Sequence, residues 1–249
     1  MKDFLCNNKN KLWYLLGLIL IILAWVISSN EVNNAIILPK PKDVVLSLFH
    51  IVTKFENIII IINTLSRLIT AVAIGFALGL IVMILYLIYP PILQLFKPLI
   101  TISKSTPVAS IIIICLIWVG SKYSPILITA LVIFPVILEA MIAGVKSIDK
   151  SYLEELQLNG GMNPYSIRKV LFPFTYPYLF LGIIQSVGLG LKVMVMAELI
   201  SQTQTSIGNE LYINKVYFQM ANLFAWTIIL IILVTMIEHL IGKAKKRLI

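Results

Sequence analysis

Long apolar runs recur along this chain, and they constrain its fold more than any motif does. A helix needs about 20 apolar residues to cross a bilayer. Within the bilayer only helices and closed barrels satisfy their own backbone hydrogen bonds. The run from Asn57 to Tyr89 is interrupted by Thr64, Ser66 and Arg67 and is bounded by Pro90-Pro91. Spans are expected at about 12–29, 57–89, 99–119, 125–146, 176–200 and 223–242. Composition agrees: 59% of residues are hydrophobic and 12% are charged, against about 25% charged in soluble domains. The expected fold is therefore all-α, a polytopic membrane protein with six transmembrane helices in one domain over residues 1–249. No small-residue cleavage site follows Ile27, so the first run is expected to be a retained span and not a signal peptide.

The connections have their own signals. Leu38-Pro39-Lys40-Pro41 breaks any helix, and Asp43 to Glu56 reads as a short amphipathic surface helix. Gly120 to Ser124 reads as a tight turn between the third and fourth spans. Six spans put both termini on one side. That side holds Lys2, Lys9, Lys11, Lys97, Lys146, Lys150, Arg168, Lys169, Lys243, Lys245, Lys246 and Arg247. The other holds Lys40, Lys42, Lys54, Lys122 and Lys215. Positive charge accumulates on the cytoplasmic side of membrane proteins, so both termini are expected in the cytoplasm of a multi-pass plasma-membrane protein. The formal charge of +9 follows from these loops and does not point to nucleic acid.

The stretch Ser151 to Pro173, SYLEELQLNGGMNPYSIRKVLFP, is the longest polar run. Ser151 and Glu154 have capping-box spacing, which starts a helix. Gly160-Gly161 ends it, because glycine takes the left-handed conformation at a helix C-terminus cheaply. Asn163-Pro164 supplies an N-cap and a first-turn proline for a second helix, and Pro173 stops that helix. The result is a stiff cytoplasmic elbow over about 147–175. Leu153 and Leu156 on one face of its first helix suit docking in a groove of a partner.

The spacing Glu154-Glu155-Leu156, Gly160, then Val170-Leu171-Phe172-Pro173 resembles the cytoplasmic coupling loop of ABC importer permeases. It departs at both alanine positions and at the leucine before Pro173. Three further stretches resemble the same family: Leu38-Pro39-Lys40-Pro41-Lys42-Asp43-Val44; Thr64-Leu65-Ser66-Arg67 with Gly75-Phe76-Ala77-Leu78-Gly79; and Ala197-Glu198 with Ser206-Ile207-Gly208. They look most similar to the branch handling sulfonates, taurine and nitrate. Permeases for thiamine-pyrimidine and riboflavin-type precursors are also similar. The resemblance implies a type I importer permease fold, a homodimeric channel, two ATPase subunits that use the ATP, and an extracytoplasmic substrate-binding protein. It also implies that Leu153, Glu154, Glu155, Leu156, Gly160, Gly161 and Pro173 couple this chain to the ATPase.

Charges inside spans are functional candidates, because burying one at mid-bilayer costs roughly 2.5–3.5 kcal/mol. Lys192, Glu139 and Glu198 are the candidates for the translocation path. Lys192 suits an anionic solute, and Glu139 is placed to face a dimer axis or to pair with Lys192 across helices. A structural ion pair that seats helices is the competing role for all three. Arg67, Lys54 and Glu56 read as interfacial anchors. The Gly75–Gly79 pair has the small-residue spacing that permits close helix approach.

Catalytic chemistry is not expected. The sequence has no G-x-x-x-x-G-K-[ST] phosphate loop and no H-E-x-x-H. Its two cysteines, Cys6 and Cys115, are not expected to pair, and no metal or cofactor site is expected. A self-contained ion-coupled carrier would need inverted repeats, which the sequence does not display. A membrane scaffold would leave the elbow unexplained.

Overall fold

The computed structural model describes residues 2–149, 151–152, 165, 168–169 and 172–248. Eight helices stand among the described residues. They are α1 Lys2–Val32, α2 Pro41–Thr53, α3 Phe55–Ile88, α4 Ile92–Ser105, α5 Val108–Lys146, α6 Phe172–Ser201, α7 Ile207–Val216 and α8 Met220–Leu248. Five stretches are long and apolar enough to cross a membrane: Leu12–Val32, Phe55–Ile88, Val108–Lys146, Phe172–Ser201 and Met220–Lys243.

Five stretches instead of the six predicted spans reflects two local features. The predicted third span, 99–119, is broken before Pro107, where Thr106 and Pro107 leave helical geometry and α4 ends. Its apolar half then begins α5. Within α5 the helix breaks again at Gly120, whose φ of 75° and ψ of 174° lie outside helical geometry. Glycine takes such a φ without the clash a Cβ would cause. The predicted turn over Gly120–Ser124 is thus condensed to one residue, and α5 is two limbs, 108–119 and 121–146. Ile112 from the first limb and Ile128 from the second share one apolar cluster with Val193 and Ala197 of α6. In a straight helix those two isoleucines would stand about 24 Å apart. The chain therefore turns back on itself at Gly120, so that one long apolar stretch supplies two helical limbs.

The fold divides into two compact units, residues 1–58 with 210–230, and residues 59–209 with 231–249. In the first unit, Pro41 opens α2 at a position where its missing N–H costs nothing. The helix buries Val44 and Ile51, seven residues apart on one face. The Asn57 side-chain amide donates to the Ile51 carbonyl at 3.0 Å, covering a C-terminal acceptor of α2. Trp25 of α1 donates its indole N–H to the Pro39 carbonyl at 3.2 Å and stacks on Phe224 with ring centroids 5.8 Å apart. Otherwise α1 shows its apolar side chains outward, Trp13 at 71% and Ile21 at 69% exposure, the pattern of a helix that faces lipid.

In the second unit, the second limb of α5 is the buried centre. Ile128, Ile133, Ile137 and Leu138 are shut off from solvent. Val82 and Met83 of α3 join Ile133, Ile137 and Leu138 in one cluster. The Gly75–Gly79 pair of α3 lies against Ile133 and Ile137 of α5, which is the close helix approach its spacing allows. A Cβ on Gly75 would sit 2.9 Å from Ile133 Cγ1 and 3.3 Å from the Ala130 carbonyl oxygen. Gly75→Leu is therefore expected to destabilise the purified protein by about 1–3 kcal/mol through overpacking. Gly17→Leu on α1, where a Cβ meets nothing within 4 Å, is expected to be neutral. Thermal unfolding in detergent, read side by side for the two variants, checks this.

Candidate functional site

Two of the stretches that carry the family resemblance, Thr64–Arg67 and Ala197–Glu198 with Ser206–Gly208, come together in the second unit. Thr64 and Arg67 are one turn apart on α3, so both face the same neighbour. Glu198 lies in the last turn of α6 and is fully buried. Its Oε1 accepts from Arg67 Nη1 at 3.1 Å. Its Oε2 accepts from the Thr64 hydroxyl at 3.1 Å and from the Gly208 N–H at 3.3 Å. The Thr64 oxygen in turn accepts from the Ile207 N–H at 3.1 Å.

These bonds complete the N-terminus of α7. The first turn of a helix leaves its N–H groups without intrahelical acceptors and carries partial positive charge. Here Thr64 takes the N–H of Ile207, Glu198 takes that of Gly208, and the Ser206 hydroxyl takes that of Asn209 at 3.1 Å as an N-cap. Gly208 is the residue that permits it. A side chain there would run into the Glu198 Cβ and the backbone of α6, with the Val195 carbonyl oxygen 2.6 Å from a Cβ. The other end of Arg67 holds the connection between α6 and α7, donating to the carbonyls of Gln204 at 3.1 Å and Thr205 at 3.4 Å. That connection is tightly turned, with φ of 49° at Gln202 and 51° at Thr205. The Thr203 hydroxyl ties it to the Ser121 carbonyl, next to the Gly120 break, at 2.7 Å. The ensemble is a clasp: one buried carboxylate locks α3, α6 and the start of α7 together. Both oxygens of Glu198 are engaged within the protein.

The three charged residues predicted in spans are not brought together. Glu139 on α5 pairs with Lys104 of α4, its two oxygens 2.5 and 2.6 Å from Nζ. Lys104 takes the place proposed for Lys192. Glu139 borders two cavities, one of about 680 Å³ between α4 and α5 and one of about 270 Å³ that includes Tyr178, Gln185 and Gly182 of α6. Lys192 is exposed on a different face of α6 from Glu198, as six residues of helix require. Leu153, Glu154, Glu155, Leu156, Gly160 and Gly161 of the elbow lie outside the described residues. Pro173 is the second residue of α6 and so sits at the start of a span, where proline is tolerated. Among the described residues, no group of three or more His, Cys, Asp or Glu could hold a metal ion. Sequence reasoning missed Arg67 as a partner of Glu198 and missed Lys104 altogether. A carboxylate inside an apolar span signals that some cation must accompany it, but not which one.

No protein-family model matches the chain. It is 24% identical over 217 residues to a probable ABC transporter permease protein of Brucella melitensis, covering 87% of this chain and 88% of the relative. A probable ABC transporter permease protein of Brucella abortus matches equally, covering 87% and 86%. The taurine transport system permease protein TauC of Escherichia coli K12 is 24% identical over 195 residues, 75% of this chain and 70% of TauC. Among solved structures, an inward-facing MetNI methionine ABC transporter chain superposes with a TM-score of 0.65 at 18% identity, covering 75% of this chain and 93% of that one. An amino acid ABC transporter crystallised with histidines gives 0.63 at 17% identity, covering 75% and 91%. The fold is that of the membrane chains of ABC transporters. In sequence the chain is similar to ABC transporter permeases over most of its length.

Proposed function

We propose that this chain is the membrane subunit of an ATP-driven importer for a small organic or inorganic anion of the sulfonate, taurine or nitrate type. It works as a homodimer with two ATPase subunits and an extracytoplasmic substrate-binding protein, with both termini in the cytoplasm. The elbow, through Leu153, Glu154, Glu155, Leu156, Gly160, Gly161 and Pro173, receives the movement of the ATPase, and the spans beside it shift as rigid bodies. Glu139 and Lys192 face the path. Glu198 serves it indirectly, by fixing the α6–α7 connection.

The observation that carries this reading is the clasp. Stretches far apart in sequence, each resembling ABC importer permeases, supply Thr64, Arg67, Glu198 and Gly208 to one bonded site. The TauC relationship and the excess of lysine beside Glu139 support an anionic solute. The test is reconstitution in proteoliposomes with the ATPase and the binding protein. Uptake of a sulfonate such as taurine is expected to require all three components and ATP. Uptake by this chain alone, driven by an ion gradient, would contradict the proposal and favour a self-contained carrier.

A further inference from the structure

The cavity of about 680 Å³ between α4 and α5 has a charge pattern that the clasp leaves unused and that the importer reading invokes only as an excess of lysine. Lys97, Thr101 and Lys104 follow one another along one face of α4, since positions 97 and 104 differ by about 20° around a helix. Glu139 and Lys146 face them from α5, seven residues apart. The Lys104–Glu139 pair neutralises itself. Lys97 and Lys146 have no carboxylate partner among the described residues. The cavity floor is apolar, formed by Leu93, Ile100 and Ile142. Both lysines are exposed, and two ammonium groups lining one cleft repel each other modestly through water. A ligand with the opposite charge relieves that repulsion. The volume lies within the range of small-molecule sites.

We infer that this cleft binds an oxyanion headgroup joined to an apolar body, the headgroup held by Lys97 and Lys146 and the body laid on Leu93, Ile100 and Ile142. Two sources share that chemistry: the phosphodiester of an anionic phospholipid and the sulfonate of an alkyl sulfonate. Lysine clusters between membrane helices suit the first, and only the second rests on the importer reading.

The purified transporter in nanodiscs made of phosphatidylglycerol and phosphatidylcholine with identical acyl chains is the test, with retained lipid counted by native mass spectrometry. The protein is expected to retain phosphatidylglycerol in preference. Lys97→Gln/Lys146→Gln is expected to weaken that preference by roughly thirty-fold, as two lysine contacts imply. Lys42→Gln/Lys215→Gln, which removes the same charge elsewhere, is expected to leave it intact. Octanesulfonate is then titrated in. Displacement of the lipid at lower concentration than lipid displaces octanesulfonate assigns the site to a solute, and the reverse assigns it to lipid. Equal retention of both lipids by the unaltered protein, or no loss in Lys97→Gln/Lys146→Gln, overturns the site whatever the transporter carries.

Discussion

Arg67→Met is expected to destabilise the protein by about 3–5 kcal/mol, because it strands the fully buried Glu198 carboxylate. Loss of the cation also frees the carbonyls of Gln204 and Thr205, so the α6–α7 connection loosens with it. Glu198→Gln is expected to cost less. Its amide oxygen still accepts the Gly208 N–H, and the penalty of a buried charge is gone. The double variant Arg67→Met/Glu198→Leu is expected to recover part of the loss, since an apolar replacement of both partners removes the stranded charge. Thr64→Val probes the same site differently. It takes a donor from Glu198 and the acceptor from the Ile207 N–H together. Thermal unfolding of the purified variants measures all four. Equal stability of Arg67→Met and the unaltered protein would show that the clasp carries no weight.

The membrane architecture was legible because its signal is length: an apolar run long enough to span reads the same whatever it packs against. Five of the six predicted runs overlap helices, and 57–89 lies within two residues of Phe55–Ile88 at each end. The third was misplaced because apolar periodicity continues across Pro107, while proline disfavours helical geometry in the residue before it. The Gly75–Gly79 spacing pointed correctly to a helix contact, with α5 as its partner. Pairing between charges was the part that could not be read. Glu198 and Arg67 are far apart in sequence, and nothing local to either marks the other. A run-by-run reading therefore left Arg67 as an interfacial anchor. Once Ser206-Ile207-Gly208 is seen as a helix start, the need for an anion there makes Glu198 intelligible. Glu139 shows the same limit, since its partner Lys104 lies on a short helix that the predicted spans had split.

Gly160→Asp carries the largest functional effect expected of any single change. In the proposed elbow, Gly160 is expected to end the first helix, a position that favours glycine on backbone grounds. Aspartate there replaces glycine with a side chain and adds a negative charge to a segment that already carries Glu154 and Glu155. The clasp at Glu198 is far along the chain from this substitution, so the membrane fold should stand. The decisive measurement is the amount of ATPase that co-purifies with the Gly160→Asp chain from detergent, alongside its thermal midpoint. The expected result is an inserted protein with an unchanged midpoint that has lost its ATPase and all ATP-dependent uptake. ATPase retained at the unaltered ratio with normal uptake would contradict the elbow as the coupling element of an ABC importer.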